Sequence, residues 1–141
     1  VRVLRPGGLA AGGAADVDFT HVTVAWNHGA GIWLGSGVYG TGLAVLSAEN
    51  TSTDCAKSGG SWWSADSLYG TGNCGGAADL PSLAKPGLDL LVTAPAAAGG
   101  PWVRLTYGSA AQQGTSSCLG RDQRDGLWVG PWCDIGAVEV K

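Results

Sequence analysis

The stretch His21-Val22-Thr23-Val24-Ala25-Trp26-Asn27 aligns without a gap on Ala44-Val45-Leu46-Ser47-Ala48-Glu49-Asn50, 23 residues further along. Val22 then matches Val45, Ala25 matches Ala48 and Asn27 matches Asn50. A period in the low twenties, short strands and a recurring Asn suit a solenoid of stacked β-coils. Inward apolar side chains of successive coils would form the core. An Asn at the corner can stack on the next Asn and satisfy turn backbone groups.

The flanking sequence reads the same way. Val17-Asp18-Phe19 and Val22-Thr23-Val24 alternate as half-buried strands do. Gly31-Ile32-Trp33-Leu34, Leu43 to Leu46, Leu88 to Thr93, Trp102 to Tyr107 and Ala137 to Val140 are further short apolar runs between turn residues. No segment sustains a 3.6-residue apolar period. The Ala-rich stretches Ala10 to Ala15 and Ala94 to Ala98 are interrupted by Gly and Pro. From Cys55 to Gly87 the chain turns rich in Gly, Ser, Asp and Pro. The expectation is one all-β domain, with coils over residues 1–54 and an irregular cap with terminal strands over 55–141.

Composition excludes several classes. The 141 residues carry 8 basic and 11 acidic side chains, a net charge of −3, with no basic run. Nucleic-acid binding needs clustered Lys and Arg, so it is not expected. No apolar stretch reaches the ~18–20 residues of a membrane-spanning helix. Only 13% of residues are charged, against about 25% in ordinary soluble domains. The 45% hydrophobic fraction nevertheless favours a folded core over a low-complexity chain, despite 25 Gly.

Four cysteines, Cys55, Cys74, Cys118 and Cys133, form no CxxC, and His21 and His28 have no finger-like spacing to them. Disulfides are therefore expected, and no metal site. Three connectivities are open; the sequential one, Cys55–Cys74 and Cys118–Cys133, closes two short loops. Loops of about 15–20 residues stabilise by roughly 3 kcal/mol each in the chain-entropy model. Disulfides place the chain in an oxidising compartment: extracellular, cell-surface or periplasmic. It opens Val1-Arg2-Val3-Leu4 without Met or an export signal. A processed product, or one piece of a longer chain, is expected. Asn50-Thr51-Ser52 is a bare glycosylation sequon and carries little weight.

The stretch from Cys118-Leu119-Gly120-Arg121-Asp122-Gln123-Arg124-Asp125-Gly126 to Pro131-Trp132-Cys133-Asp134-Ile135-Gly136-Ala137-Val138-Glu139 resembles the end of secreted bacterial right-handed parallel β-helix proteins of the choice-of-anchor Q type. Those close with a DQR-G stretch and a CDIGA-[VYF]-E terminus. Their upstream order is similar to Asn27, Gly31-Ile32, Asn50, Cys55, Ser67-Leu68-Tyr69-Gly70 and Cys74 here, with Gly108-Ser109-Ala110-Ala111 before the third Cys. The chain departs from that pattern in Asp125 before Gly126, in the Leu-Tyr-Gly order and in Ala110. The family's long N-terminal run of coils is also missing. The resemblance implies a short right-handed parallel β-helix with an irregular, disulfide-stapled C-terminal cap. It implies no shared enzymatic activity, and gives Asp122, Arg124 and Asp134 structural roles in the terminal motif.

Catalytic readings are weaker than structural ones. Asp122, Asp125, Asp134 and Glu139 could in principle supply a glycosidase pair. Asp122 to Gly126 lacks the alternating ligands and closing Glu of a calcium loop. There is no Gly-x-Ser-x-Gly elbow. His21 reads as an exposed coil residue, and Gly70-Thr71-Gly72-Asn73-Cys74-Gly75 lacks the strand–helix context of a nucleotide loop. No catalytic residue and no cofactor is expected.

Seven Trp are the oddest feature. Trp26 and Trp33 are expected in core or interface; Trp62, Trp63, Trp128 and Trp132 in cap packing, a protein interface or glycan contact. The first coil should present unpaired backbone groups and an apolar cross-section. Solenoids need a cap at each end, so another protein chain, in a homo-oligomer or a larger assembly, is the expected partner. The leading expectation is a non-enzymatic structural subunit docking through that edge. The alternative is a carbohydrate-binding or carbohydrate-active β-helix module.

Overall fold

A computed structural model describes residues 8–74, 79, 88–92, 102–105, 111, 115–116, 118 and 131–136. Among these residues the chain is all-β, with no helix. Three coils of three strands stack in parallel. The first holds β1 (Leu9–Ala11), β2 (Ala15–Thr20) and β3 (Thr23–Ala25). The second holds β4 (Ala30–Leu34), β5 (Val38–Leu43) and β6 (Leu46–Ala48); the third, β7 (Thr53–Lys57), β8 (Ser61–Ala65) and β9 (Leu68–Tyr69). The sheets run β1-β4-β7, β2-β5-β8 and β3-β6-β9, each parallel throughout. This is a parallel β-helix. Beyond it, β10 (Leu88–Val92) and β11 (Trp102–Leu105) form an antiparallel pair.

The repeat of 23 holds between the first two coils, where Leu9 pairs with Ile32, Ala15 with Val38 and Thr23 with Leu46. It still holds from Ile32 to Cys55, and then shortens. Gly40 pairs with Trp62 and Leu46 with Leu68, one residue fewer. The turn between β7 and β8 has lost a residue relative to that between β4 and β5. The boundary expected at residue 54 therefore falls inside the third coil, and coil structure continues to Tyr69. Composition does not mark the third coil because its repeat shortens by one residue and its strands carry fewer apolar residues.

Leu43 to Leu46 is not one strand but a corner. Ala44 sits at φ 54°, between His21 at 49° in the coil before and Asp66 at 51° in the coil after. Left-handed backbone at a non-glycine residue costs roughly 1–2 kcal/mol. Stacked hydrogen bonds offset it: His21 N–H to Leu43 O at 2.9 Å, Ala44 N–H to Ala65 O at 3.2 Å and Val45 N–H to Ser67 Oγ at 3.0 Å.

Two apolar cores result. Val24, Ile32, Leu34, Val38, Val45, Cys55, Tyr69 and Cys74 fill the coil interior, flanked by Leu9, Val17, Phe19 and Trp62. The second core joins Leu46, Ala48 and Leu68 of β6 and β9 to Ala111 and Ile135. Strand alternation turns Leu46 and Ala48 to the opposite face from Ser47. The outer face of β3-β6-β9 is thus covered by the C-terminal segment, and β3 and β6 are buried at every residue. Gly136 N–H bonds Ala44 O at 2.9 Å, His21 Nδ1 donates to Gly136 O at 3.2 Å, and Thr115 Oγ1 donates to Asp66 at 2.7 Å. The disulfide-stapled C-terminal region therefore acts as a strap along the corner column of all three coils. His21, expected to be exposed, is 1% exposed for that reason.

The cysteines pair sequentially, Cys55–Cys74 and Cys118–Cys133. The first disulfide lies at the far end of the solenoid, where Cys55 bridges Gly72 in parallel. Asn73 continues the ladder there with its side chain, accepting from Lys57 N–H at 2.7 Å and donating to Lys57 O at 3.3 Å.

Candidate functional site

At the far end Thr71, Gly72 and Asn73 bond along β7, while β8 and β9 each have a strand neighbour on one side only among the described residues. Among the described residues β1, β2 and β3 each have a strand neighbour on one side only. Behind that edge lies an apolar recess of about 180 Å³, lined by Leu9, Ala10, Ala11, Val17, Phe19, Ile32, Trp33 and Leu34. Val17 and Phe19 point inward because β2 alternates half-buried and exposed residues along its whole length.

At the third corner of the coil runs a ladder of amides. Asn27 N–H and Asn27 Nδ2 both donate to Asn50 Oδ1, at 3.0 and 2.8 Å. Asn50 N–H and Nδ2 both donate to Asp54 Oδ1, at 2.9 and 2.7 Å. Thr71 Oγ1 then donates to Asp54 Oδ2 at 2.9 Å. Each step uses a carboxamide or carboxylate oxygen to accept two N–H groups from the coil before, or from the preceding rung. Trp26 and Glu49 stack beside it, both with left-handed backbone, the Trp26 indole donating to Glu49 at 2.8 Å.

The first rung is incomplete. Asn27 is fully buried, and its Oδ1 accepts no hydrogen bond. By the ladder's polarity this oxygen is the counterpart of Asn50 Oδ1, which receives two N–H donors from the coil before.

Asn50→Ala should therefore destabilise the chain by roughly 2–4 kcal/mol, since it leaves Asn27 N–H without its acceptor, strips Asn27 Nδ2 of its shorter bond and takes one of two donors from Asp54 Oδ1. Urea unfolding checks this, and Asn50→Asp should not rescue, because it sets a second carboxylate against Asp54. The sequon is structural too. The Nδ2 atom a glycan would take is the one bonded to Asp54, and it also donates to Val24 O and Ala48 O.

The tryptophans divide by strand parity. Trp62 turns inward against Phe19, with ring centres 5.8 Å apart, and donates its indole N–H to the Tyr69 hydroxyl at 3.0 Å. Burial pushes the Tyr69 hydroxyl above its ordinary value, so it remains protonated to complete these bonds. Trp63, Trp33 and Trp132 are exposed, by 62, 40 and 52%. Tyr39, which sequence reading did not single out, is 66% exposed; the alternation Val38-Tyr39-Gly40 within β5 was its signal. Asp134 is buried next to the Cys133 staple. Asp122, Arg124 and Trp128 lie outside the described residues. Among the described residues no group of His, Cys, Asp and Glu is placed to hold a metal ion.

The architecture defines a short parallel β-helix of three coils. Comparison with family models, curated proteins and solved structures returns no match.

Proposed function

We propose that the chain is an exported, non-catalytic structural subunit that docks onto another protein chain through the open edge of its first coil. The observation that carries this reading is the first coil, where β1 and β2 have a strand neighbour on one side only among the described residues and an apolar recess lies behind them. Another coil edge would pair the other sides of β1 and β2 and cover the apolar recess, with Trp33 beside it. Two disulfides suit an oxidising compartment, and among the described residues no helix is long and apolar enough to cross a membrane. The terminal motif's resemblance to choice-of-anchor Q proteins supports a surface assembly of this kind.

Light scattering on the unreduced chain over a range of concentrations tests the reading, alongside amide exchange. Concentration-dependent association is expected, abolished by Leu9→Glu at the edge. A monodisperse monomer whose β1–β3 amides exchange as slowly as those of β4–β6 would mean that the edge is already satisfied, and would remove the reading.

A further inference from the structure

The outward face of β2-β5-β8 is a separate surface, remote in logic from the open edge. Strand register sorts its residues into rows along the solenoid axis. Asp16 pairs with Tyr39 and Tyr39 with Ser61; Asp18 pairs with Thr41 and Thr41 with Trp63. Each row thus holds one carboxylate, one hydroxyl residue and one aromatic ring or phenol, and all six side chains alternate away from the inward Val17, Gly40 and Trp62. Tyr39 and Trp63 are the two most exposed large hydrophobic residues described, at 66 and 62%. They sit one strand and two residues apart, a backbone separation of about 8 Å from strand spacing and rise. Thr41 donates its hydroxyl to Asp18, which orients that carboxylate and leaves its second oxygen to solvent.

We propose that this face binds an uncharged glycan. A sugar ring offers an apolar C–H face and a rim of hydroxyls, and the two rows offer flat aromatic surface beside carboxylate and hydroxyl groups. Aromatic side chains with a wet rim serve such half-polar contacts well. A protein docking patch would need contiguous apolar area. Here Tyr39 is flanked in its row by Asp16 and Ser61, and Trp63 by Thr41. Charge selects among glycans. The three strands carry two aspartates and no Lys or Arg, so polyuronates, sulfated chains and phosphate-bearing partners are repelled. The proposal is independent of the edge-docking reading.

Calorimetric titration of the full chain with a panel of neutral β-linked hexasaccharides (glucan, xylan, mannan and N-acetylglucosamine) tests it, with polygalacturonate as the charged comparison. At least one neutral hexasaccharide should bind. Tyr39→Ala and Trp63→Ala should each weaken that binding about tenfold, and the pair about a hundredfold, if each stacking contact is worth about one decade. Both side chains point to solvent, so thermal unfolding should stay within a few degrees of the parent, separating loss of binding from loss of fold. Failure of every neutral hexasaccharide to bind, equal binding by the double variant, or preference for polygalacturonate would overturn the proposal. None of these results would alter the light-scattering test of the edge.

Discussion

Ile135→Ala will cost the folded chain about 2–4 kcal/mol, more than its distance from the coil interior suggests. Ile135 is 1% exposed and shares a core with Leu46, Ala48, Leu68 and Ala111. Truncating it leaves a cavity between the strap and the outer face of β3-β6-β9. The strap is pinned around it by backbone bonds. Ile135 N–H donates to Ala111 O at 2.7 Å and Gly136 N–H to Ala44 O at 2.9 Å, while Thr115 and Cys133 exchange antiparallel bonds beside the Cys118–Cys133 disulfide. The cavity cannot close by letting the strap drift, so the loss should be near the full transfer-plus-cavity value. Denaturant unfolding gives its size. Amide exchange gives its place: β3, β6 and β9 should lose protection while β2, β5 and β8 keep theirs. Equal loss in all three sheets would mean that the strap does not act locally.

The strap also explains what could and could not be read from residues alone. The period was legible because two coils keep both spacing and corner Asn. The third coil escaped notice because its turn is one residue shorter and Gly72, not Asn, follows in the corner column. Leu46, apolar on the outward face of a strand, was the available sign that something covers that face, and it was read only as part of an apolar run. The second corner was hidden for a different reason. His21, Ala44 and Asp66 share a left-handed conformation; His and Asp adopt it more often than most residues, but Ala does not, and no Gly or Asn marks the column. The orphaned Asn27 Oδ1 depends on the direction of the ladder, which only coordinates reveal.

The second large effect lies inside the coil. Gly42→Val should destabilise by about 3 kcal/mol, combining overpacking with a lost hydrogen bond. The Trp62 indole lies across Gly40 and Gly42. A Cβ on Gly40 would fall 2.4 Å from the ring, and one on Gly42 2.5 Å from it. The ring cannot retreat without giving up the Tyr69 hydroxyl and its contact with Phe19. Two glycines that weaken β5 as a strand are thus the slot that admits a large ring into a narrow core. A double-mutant cycle settles this. Trp62→Ala alone opens a cavity, but together with Gly42→Val the losses should fall short of their sum by 1 kcal/mol or more, within the usual range for residues in contact. Strict additivity would mean that the two do not meet. The cycle reaches the outer face as well. Trp62 and Trp63 are neighbours on β8, and strand parity sends one inward because the other goes outward. The glycine slot that seats Trp62 is therefore what presents Trp63 to solvent. Gly42→Val should weaken glycan binding although Gly42 points away from that face.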